Sequence, residues 1–283
     1  MYNQMILLAE SGSTKTDWRL LGENVRSFET IGLNPYFVDS DTVAKELLPH
    51  LQDETPFTLR EVHFYGTGIT DPAKGDIISK GILKALGYSV PVYTYSDVIA
   101  AARALFGDAE GIACILGTGS NTCYWNGREI AFQVPPLGFW LGDEGSGGHL
   151  GKSLILGYLH REMPQNVRER FEEIYGSKDR LEIIDNAYRK ERPNKYFAQF
   201  CPFLLENQHE PWCAELIRSS FRLFLEKYLL KYPQLNQADI GCVGSVAWYF
   251  ESIFKEVASA HGVQVGKVIQ KPIDELSVYH QPR

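Results

Sequence analysis

Short apolar segments that stop at glycine- and hydroxyl-rich turns recur along this 283-residue chain, and they restrict its architecture more than any other feature. Met5–Ala9 runs into Glu10-Ser11-Gly12-Ser13-Thr14, Gly111–Leu116 into Gly117-Thr118-Gly119-Ser120, and Ile240–Val243 into Gly244-Ser245. Apolar runs this short, bounded by such turns, read as buried strands; helical spacing between them predicts an α/β chain. Glycine lets the backbone approach a ligand closely, and amides and hydroxyls donate to anionic oxygens, so the first two turns suit phosphate. At Gly244 a flat ring can lie against the chain. One such turn by itself is most often only a turn. Three of them, spread over both halves, call for a ligand.

The first third reads as strands Met5–Ala9, Asp17–Leu21 and Val25–Ile31, helix Thr42–Leu51, strand Val62–Tyr65, helix Asp71–Gly87, strand Val90–Tyr95 and helix Asp97–Phe106. Asp71-Pro72 supplies a cap and a first turn, Gly87 a stop, and the alanines after Asp97 favour helix. Gly107-Asp108 marks a boundary, giving domains at 1–107 and 108–283. The pattern then restarts with strands Gly111–Leu116 and Thr122–Trp125 and a hairpin turn at Asn126-Gly127. Longer helices follow at Glu144–Leu159, Val167–Tyr175, Lys178–Arg189 and Pro211–Tyr232, then strand Ile240–Val243 and a helix to His261. The octets Ser11–Trp18 and Thr118–Trp125 can be set against each other, each with a hydroxyl-Gly-Ser start and a tryptophan at the same distance. Eight positions alone do not establish a duplication, although the similar preceding strand adds to the case.

With 44% hydrophobic and 22% charged residues the chain is expected to fold rather than stay disordered. A net charge of −7 argues against a nucleic-acid partner, which usually meets a basic face. No cationic segment precedes the first apolar run, and Glu10 breaks it, so it is a poor signal peptide. No run approaches the roughly 20 apolar residues of a membrane span. The five cysteines (Cys114, Cys123, Cys201, Cys213, Cys242) are scattered, without CxxC or metal-ligand spacing, which predicts free thiols in a reducing cytoplasm.

Gly145–Ser153 imitates a Walker A loop ending in Gly-Lys-Ser. Five residues separate Gly145 from Gly151 where that loop needs four, so a phosphate loop is not expected here. Asp143-Glu144 places two carboxylates in a glycine-rich segment, where repulsion favours a ligand or metal contact over an idle turn. Asp97 stands at the head of a helix and on its own terms reads first as a capping residue, and second as an acceptor for a hydroxyl proton. Asn34-Pro35 is a turn on its own terms, and His149 and Tyr196–Phe203 read as packing.

Together these residues carry a resemblance. Leu8–Trp18 resembles the first phosphate motif of sugar kinases with the actin-like ATPase fold, Leu116–Asn121 their second, and Cys242–Val246 their adenosine motif. Gly117–Asn121, Gly142–Ser146 and Cys242–Val246 are more narrowly similar to the N-acetylglucosamine kinase branch. The resemblance implies an α/β protein of two ribonuclease-H-like (actin-like ATPase) domains around a central cleft, closing on ATP and a small-molecule sugar with Mg2+. It implies that Gly12, Ser13, Thr14 and Lys15, with Thr118, Gly119 and Ser120, hold phosphates, and that Gly244 and Ser245 border the adenosine. It implies Asp97 as general base, Asn34, Asn121 and Asp143 as sugar ligands, and Glu10 as a water-mediated metal contact. A cytoplasmic homodimer without nucleic-acid or membrane partners goes with it.

The chain departs from the family in two places. Glu10 stands where the family usually has aspartate, and Gly147-Gly148-His149 replaces a bulkier aromatic stretch found in animal relatives. Two other functions share the fold. An ATPase activator of 2-hydroxyacyl-CoA dehydratases would need an iron–sulfur cluster between subunits. A non-catalytic sugar sensor would be consistent with Glu10, but the cysteine cluster and DNA-binding helices of the repressor–kinase families are missing.

Overall fold

The computed structural model describes residues 4–51 and 58–281. The chain divides into two compact units, Met1–Asp108 with Lys271–Arg283, and Ala109–Gln270. The final helix therefore belongs with the first unit, whereas the linear division at 107/108 assigns it to the second.

In the first unit β1 (Gln4–Ser11), β2 (Lys15–Leu21) and β3 (Arg26–Ile31) form an antiparallel meander. After α1 (Ser40–Leu51) the chain adds β4 (Thr58–Gly66), α2 (Pro72–Leu86), β5 (Val92–Ser96) and α3 (Asp97–Phe106). The sheet order is β3-β2-β1-β4-β5, with β1, β4 and β5 parallel. Alternation along the strands turns Leu7, Ala9, Trp18, Val62 and Phe64 into a core shared with Val43, Leu47, Ile78 and Ile82 of the helices. Helix α2 starts where expected, the Lys74 amide donating to the Asp71 carboxylate at 3.0 Å, and stops at Gly87 with φ 73°.

The second unit opens with β6 (Glu110–Leu116), β7 (Ser120–Asn126) and β8 (Ile130–Phe132). A helical stretch follows: α4 (Gly138–Leu141), α5 (Gly147–Leu159), α6 (Gln165–Tyr175), α7 (Arg180–Tyr188), α8 (Pro193–Ala198), α9 (Cys201–Glu206) and α10 (Pro211–Lys227). It ends with β9 (Ile240–Val243), α11 (Ser245–Tyr249), α12 (Glu251–Ala260) and β10 (Val268–Ile269). Its sheet runs β10-β9-β6-β7-β8, the same pattern of two antiparallel and two parallel pairings as in the first unit. Helix α5 begins at Gly147, not Glu144, because Asp143 (φ 61°) and Gly145 (φ 80°) are left-handed and cannot continue a right-handed turn. The expected helix Pro211–Tyr232 closes at Lys227 and is followed by a 3-10 turn, Leu229–Lys231. Phe197, Phe200 and Phe203 are buried, consistent with the packing role expected of that segment.

The chain then returns to the first unit as α13 (Ile273–His280), which packs on α3. Beneath it, on the sheet face opposite Val62 and Phe64, the Tyr65 hydroxyl accepts from Arg103 at 2.7 Å and lies 2.8 Å from His280 Nε2. Among the described residues no helix is long and apolar enough to cross a membrane.

Candidate active site

The parallel strands of the first unit end level with one another: Ser11 pairs with Gly66, and Gly66 with Ser96. The carboxyl ends of such strands are where α/β sheets present ligand-binding loops. Here the β1–β2 turn is fastened from below. The Thr16 hydroxyl donates to the Ser11 hydroxyl (2.8 Å) or the Ile31 carbonyl (2.9 Å), and the Leu33 amide donates to Ser11 Oγ (2.9 Å). Gly32 is pressed on the turn so closely that a Cβ would sit 2.7 Å from the Gly12 carbonyl oxygen. Gly12 and Ser13 are half-buried and Thr14 is exposed. Lys15 joins Asp17 (3.3 Å) and Glu29.

Glu10, Asp17 and Glu29 lie opposite one another across β1, β2 and β3, a rung of three carboxylates. Like charges facing across a sheet are destabilising. Lys15 offsets part of the repulsion, and Lys271, 3.7 Å from Asp17, another part. Even so, burial pushes the Glu10 carboxyl up to about 7, with Asp17 and Asp97 adding to the rise. A cation would relieve that repulsion. Among the described residues no three or more His, Cys, Asp or Glu side chains form a metal cage. The donor set nonetheless fits Mg2+, which typically takes one or two carboxylates and completes its shell with water and phosphate.

Asp97 is the first residue of α3. Ser96 precedes it at the capping position, and the Ser96 side chain makes no cap hydrogen bond. Its carboxylate accepts from the Thr67 hydroxyl at 3.0 Å, and burial raises its pKa against the pull of Thr67 and of the amides at the helix head. Thr67 sits in Gly66-Thr67-Gly68, which repeats the pattern of Gly117-Thr118-Gly119. Asn34 lies against the same loop: a Cβ on Gly68 (φ 90°) would be 2.3 Å from its amide oxygen, which accepts from the Tyr36 amide. Glu10, Asn34, Thr67 and Asp97 thus gather around the ends of β1, β4 and β5. Thr67, Asp17 and Lys271 are the members that spacing along the chain did not single out.

In the second unit the Gly117–Gly119 turn is carried by the start of α5. The amides of Gly147 and Gly148 donate to the carbonyls of Gly117 (2.8 Å) and Thr118 (3.0 Å). Asp143, buried, accepts from the Ser120 amide at 3.2 Å and lies against Gly119. Ser120 Oγ is buried with no hydrogen-bond partner. Gly244 (φ 124°) rests on the end of β6, where a Cβ would meet the Leu116 carbonyl oxygen at 2.3 Å. Thr118 and Ser245 accordingly line one cavity of about 470 Å³, together with Gly117, Gly147, Val246 and Tyr249.

The Walker-like segment is explained by packing. A Cβ on Gly145 would strike Phe224, and one on Gly151 would lie 1.8 Å from the Phe197 carbonyl oxygen. The amides of Gly147 and Gly148 are taken by the neighbouring turn, so they are not free for phosphate. His149 bonds Ser220 at 2.7 Å, and its pKa falls to about 4 mainly through burial. The Glu144 carboxylate accepts from the Tyr228 hydroxyl at 2.8 Å. The Asn121 amide oxygen is occupied by Gln133 and by the Thr122 amide, both at 2.9 Å. All five cysteines are buried free thiols.

Neither family models nor curated proteins give a match. Solved structures do. A candidate N-acetylglucosamine kinase from Porphyromonas gingivalis is 38% identical, with TM-score 0.90 over 98% of each chain. The chain belongs to the N-acetylglucosamine kinase branch of the actin-like ATPase, or sugar-kinase, superfamily. It is by that membership an enzyme of phosphotransferase type. A candidate N-acetylglucosamine kinase from Chromobacterium violaceum shares the fold at 14% identity, with TM-score 0.75 over 99% of this chain and 100% of that one. A ROK family glucokinase from Streptomyces griseus, in complex with glucose and AMPPNP, shares it at 11% identity, with TM-score 0.59 over 97% of each.

Proposed function

We propose that this chain is an ATP-dependent kinase that phosphorylates the 6-hydroxyl of N-acetylglucosamine or a related amino sugar. The observation that carries this is the cavity shared by Thr118 and Ser245, since segments read independently as phosphate and adenosine motifs line one hollow. Its volume falls within the roughly 300–1,000 Å³ usual for small-molecule sites. The identity of 38% to a candidate N-acetylglucosamine kinase supports the sugar class.

Asp97 takes the proton of the attacking hydroxyl. Burial makes its carboxylate a stronger base than an exposed aspartate, and Thr67 holds it at one angle. The Gly12–Thr14 turn and the Thr118–Ser120 segment hold phosphate oxygens, while Lys15 contributes charge from its place beside Asp17. Asn34, Asn121 and Asp143 orient the sugar. Glu10, through water, and Asp17 would hold Mg2+, which when bound neutralises phosphate charge. A cytoplasmic homodimer is part of the same reading.

The test is purified protein with Mg-ATP and a panel of hexosamines. Sugar-dependent ADP release is expected, greatest with N-acetylglucosamine and yielding a 6-phosphate identifiable by NMR. Tight sugar binding with no ADP released would replace the kinase by a non-catalytic sugar sensor.

A further inference from the structure

The wall of the Thr118–Ser245 cavity bears on which nucleotide the enzyme takes. Away from the glycine turn it is formed by Ala198, Cys201, Pro202, Leu205, Val246 and Phe250. Among the described lining residues there is no carboxylate, carboxamide, imidazole or cation. The Cys201 thiol, pushed up to about 12 by burial, stays neutral. The polar side-chain groups that remain are the hydroxyls of Thr118, Ser245 and Tyr249. Tyr249 Oη accepts from Gln270 Nε2 at 3.1 Å, which leaves its proton free to be given.

A hydroxyl both donates and accepts. Adenine presents an amine donor beside a ring-nitrogen acceptor; guanine and hypoxanthine present a carbonyl acceptor beside an N–H donor. A carboxylate or a positioned carboxamide would tell these edges apart. Hydroxyls on an apolar wall satisfy either one. We propose that the donor site is tolerant of the purine base and accepts guanosine and inosine triphosphates as well as ATP. This rests on the kinase reading above. The chemistry is indifferent to the base: the sugar 6-oxygen bonds to the γ-phosphorus and the bond from that phosphorus to the β-bridging oxygen breaks. The hydroxyl proton goes to Asp97, and the nucleoside diphosphate departs with the electron pair.

Apolar pockets separate related ligands by about 10–200-fold, whereas sites built to hydrogen-bond a polar group reach about 10⁴–10⁵. Calorimetric titration with ADP, GDP and IDP, alongside sugar-dependent turnover of the three triphosphates, distinguishes the two regimes. Affinities and kcat/KM within about a hundredfold of one another are expected. A wider preference for adenine overturns the proposal while leaving the kinase reading intact. Failure of every diphosphate to bind overturns the kinase reading itself. Leu205→Gln sets a carboxamide into the wall and is expected to widen the ADP-to-GDP ratio by about tenfold, about 1.4 kcal/mol. An unchanged ratio in that variant, its fold verified by circular dichroism, would put the base elsewhere and overturn the proposal.

Discussion

In Met1–Asp108 the turn after β1 is laced by side-chain hydroxyls and ringed with charge. In Ala109–Gln270 the turn after β6 is carried by the backbone of α5 and faces apolar walls. The sheets beneath them have one strand order, so the scaffold sets where each turn lies and the surrounding side chains set what it can do. At the first turn burial, helped by the charges of Asp17 and Asp97, raises the Glu10 pKa, and such a site suits proton and cation chemistry. The second turn, beside a cavity with no charged side chain among its described lining residues, suits a flat heterocycle.

Asp97→Asn should separate the units most sharply. General-base catalysis is worth on the order of 10² or more, so kcat should fall by at least that while ADP affinity, measured calorimetrically, stays as it was. A kcat within a few-fold of the parent would remove the base from the first unit.

Gly244→Ala probes the second unit. The new methyl meets the Leu116 carbonyl in a left-handed conformation, with an expected loss of about 1–3 kcal/mol in urea unfolding and weakened nucleotide binding. Unaltered stability would mean that the close approach is relaxed in solution.

Thr67→Val removes the hydroxyl that holds Asp97. About a tenfold loss in kcat is expected, as for other hydrogen bonds to charged groups. Because Thr67 lowers the Asp97 pKa, its removal should also move the acid limb of the pH–rate profile upward. A purely packing role would leave that limb in place.

The last effect is thermodynamic. The folded pKa of Glu10, about 7, lies above its ordinary value of 4.5, so the stability it contributes is complete below 4.5 and is lost as pH rises through 7. In EDTA, Glu10→Gln should melt above the parent at pH 8, by about 2–4 °C for each kcal/mol of the penalty removed, with the advantage gone near pH 4.5. A pH-independent difference would contradict the carboxylate rung as its source.

Much of the scaffold was legible from the residues. Strands Met5–Ala9, Val62–Tyr65 and Ile240–Val243 announce themselves by short apolar runs, and α2 by its Asp71-Pro72 and Gly87 boundaries, because burial patterns and left-handed caps are local. The octet match was a poorer guide. Trp18 stands two residues past the last β1–β2 pair at Thr16, and Trp125 five past Ser120, so the octets do not occupy the same rung although the sheets repeat. Edge strand β10, two residues long, carries no periodic signal.

The amino-acid order by itself determined the α/β class, the glycine-hydroxyl turns and the residues able to serve them, since these follow from backbone freedom and side-chain polarity within a few positions. Only the tertiary structure decided that Thr67 holds Asp97 and that Glu10, Asp17 and Glu29 share a rung. It also decided that the glycines before Lys152 serve packing and that Ile273–His280 folds back on the first unit. Each of those depends on strand register or on contact between residues far apart in the chain, and neither is encoded in local spacing.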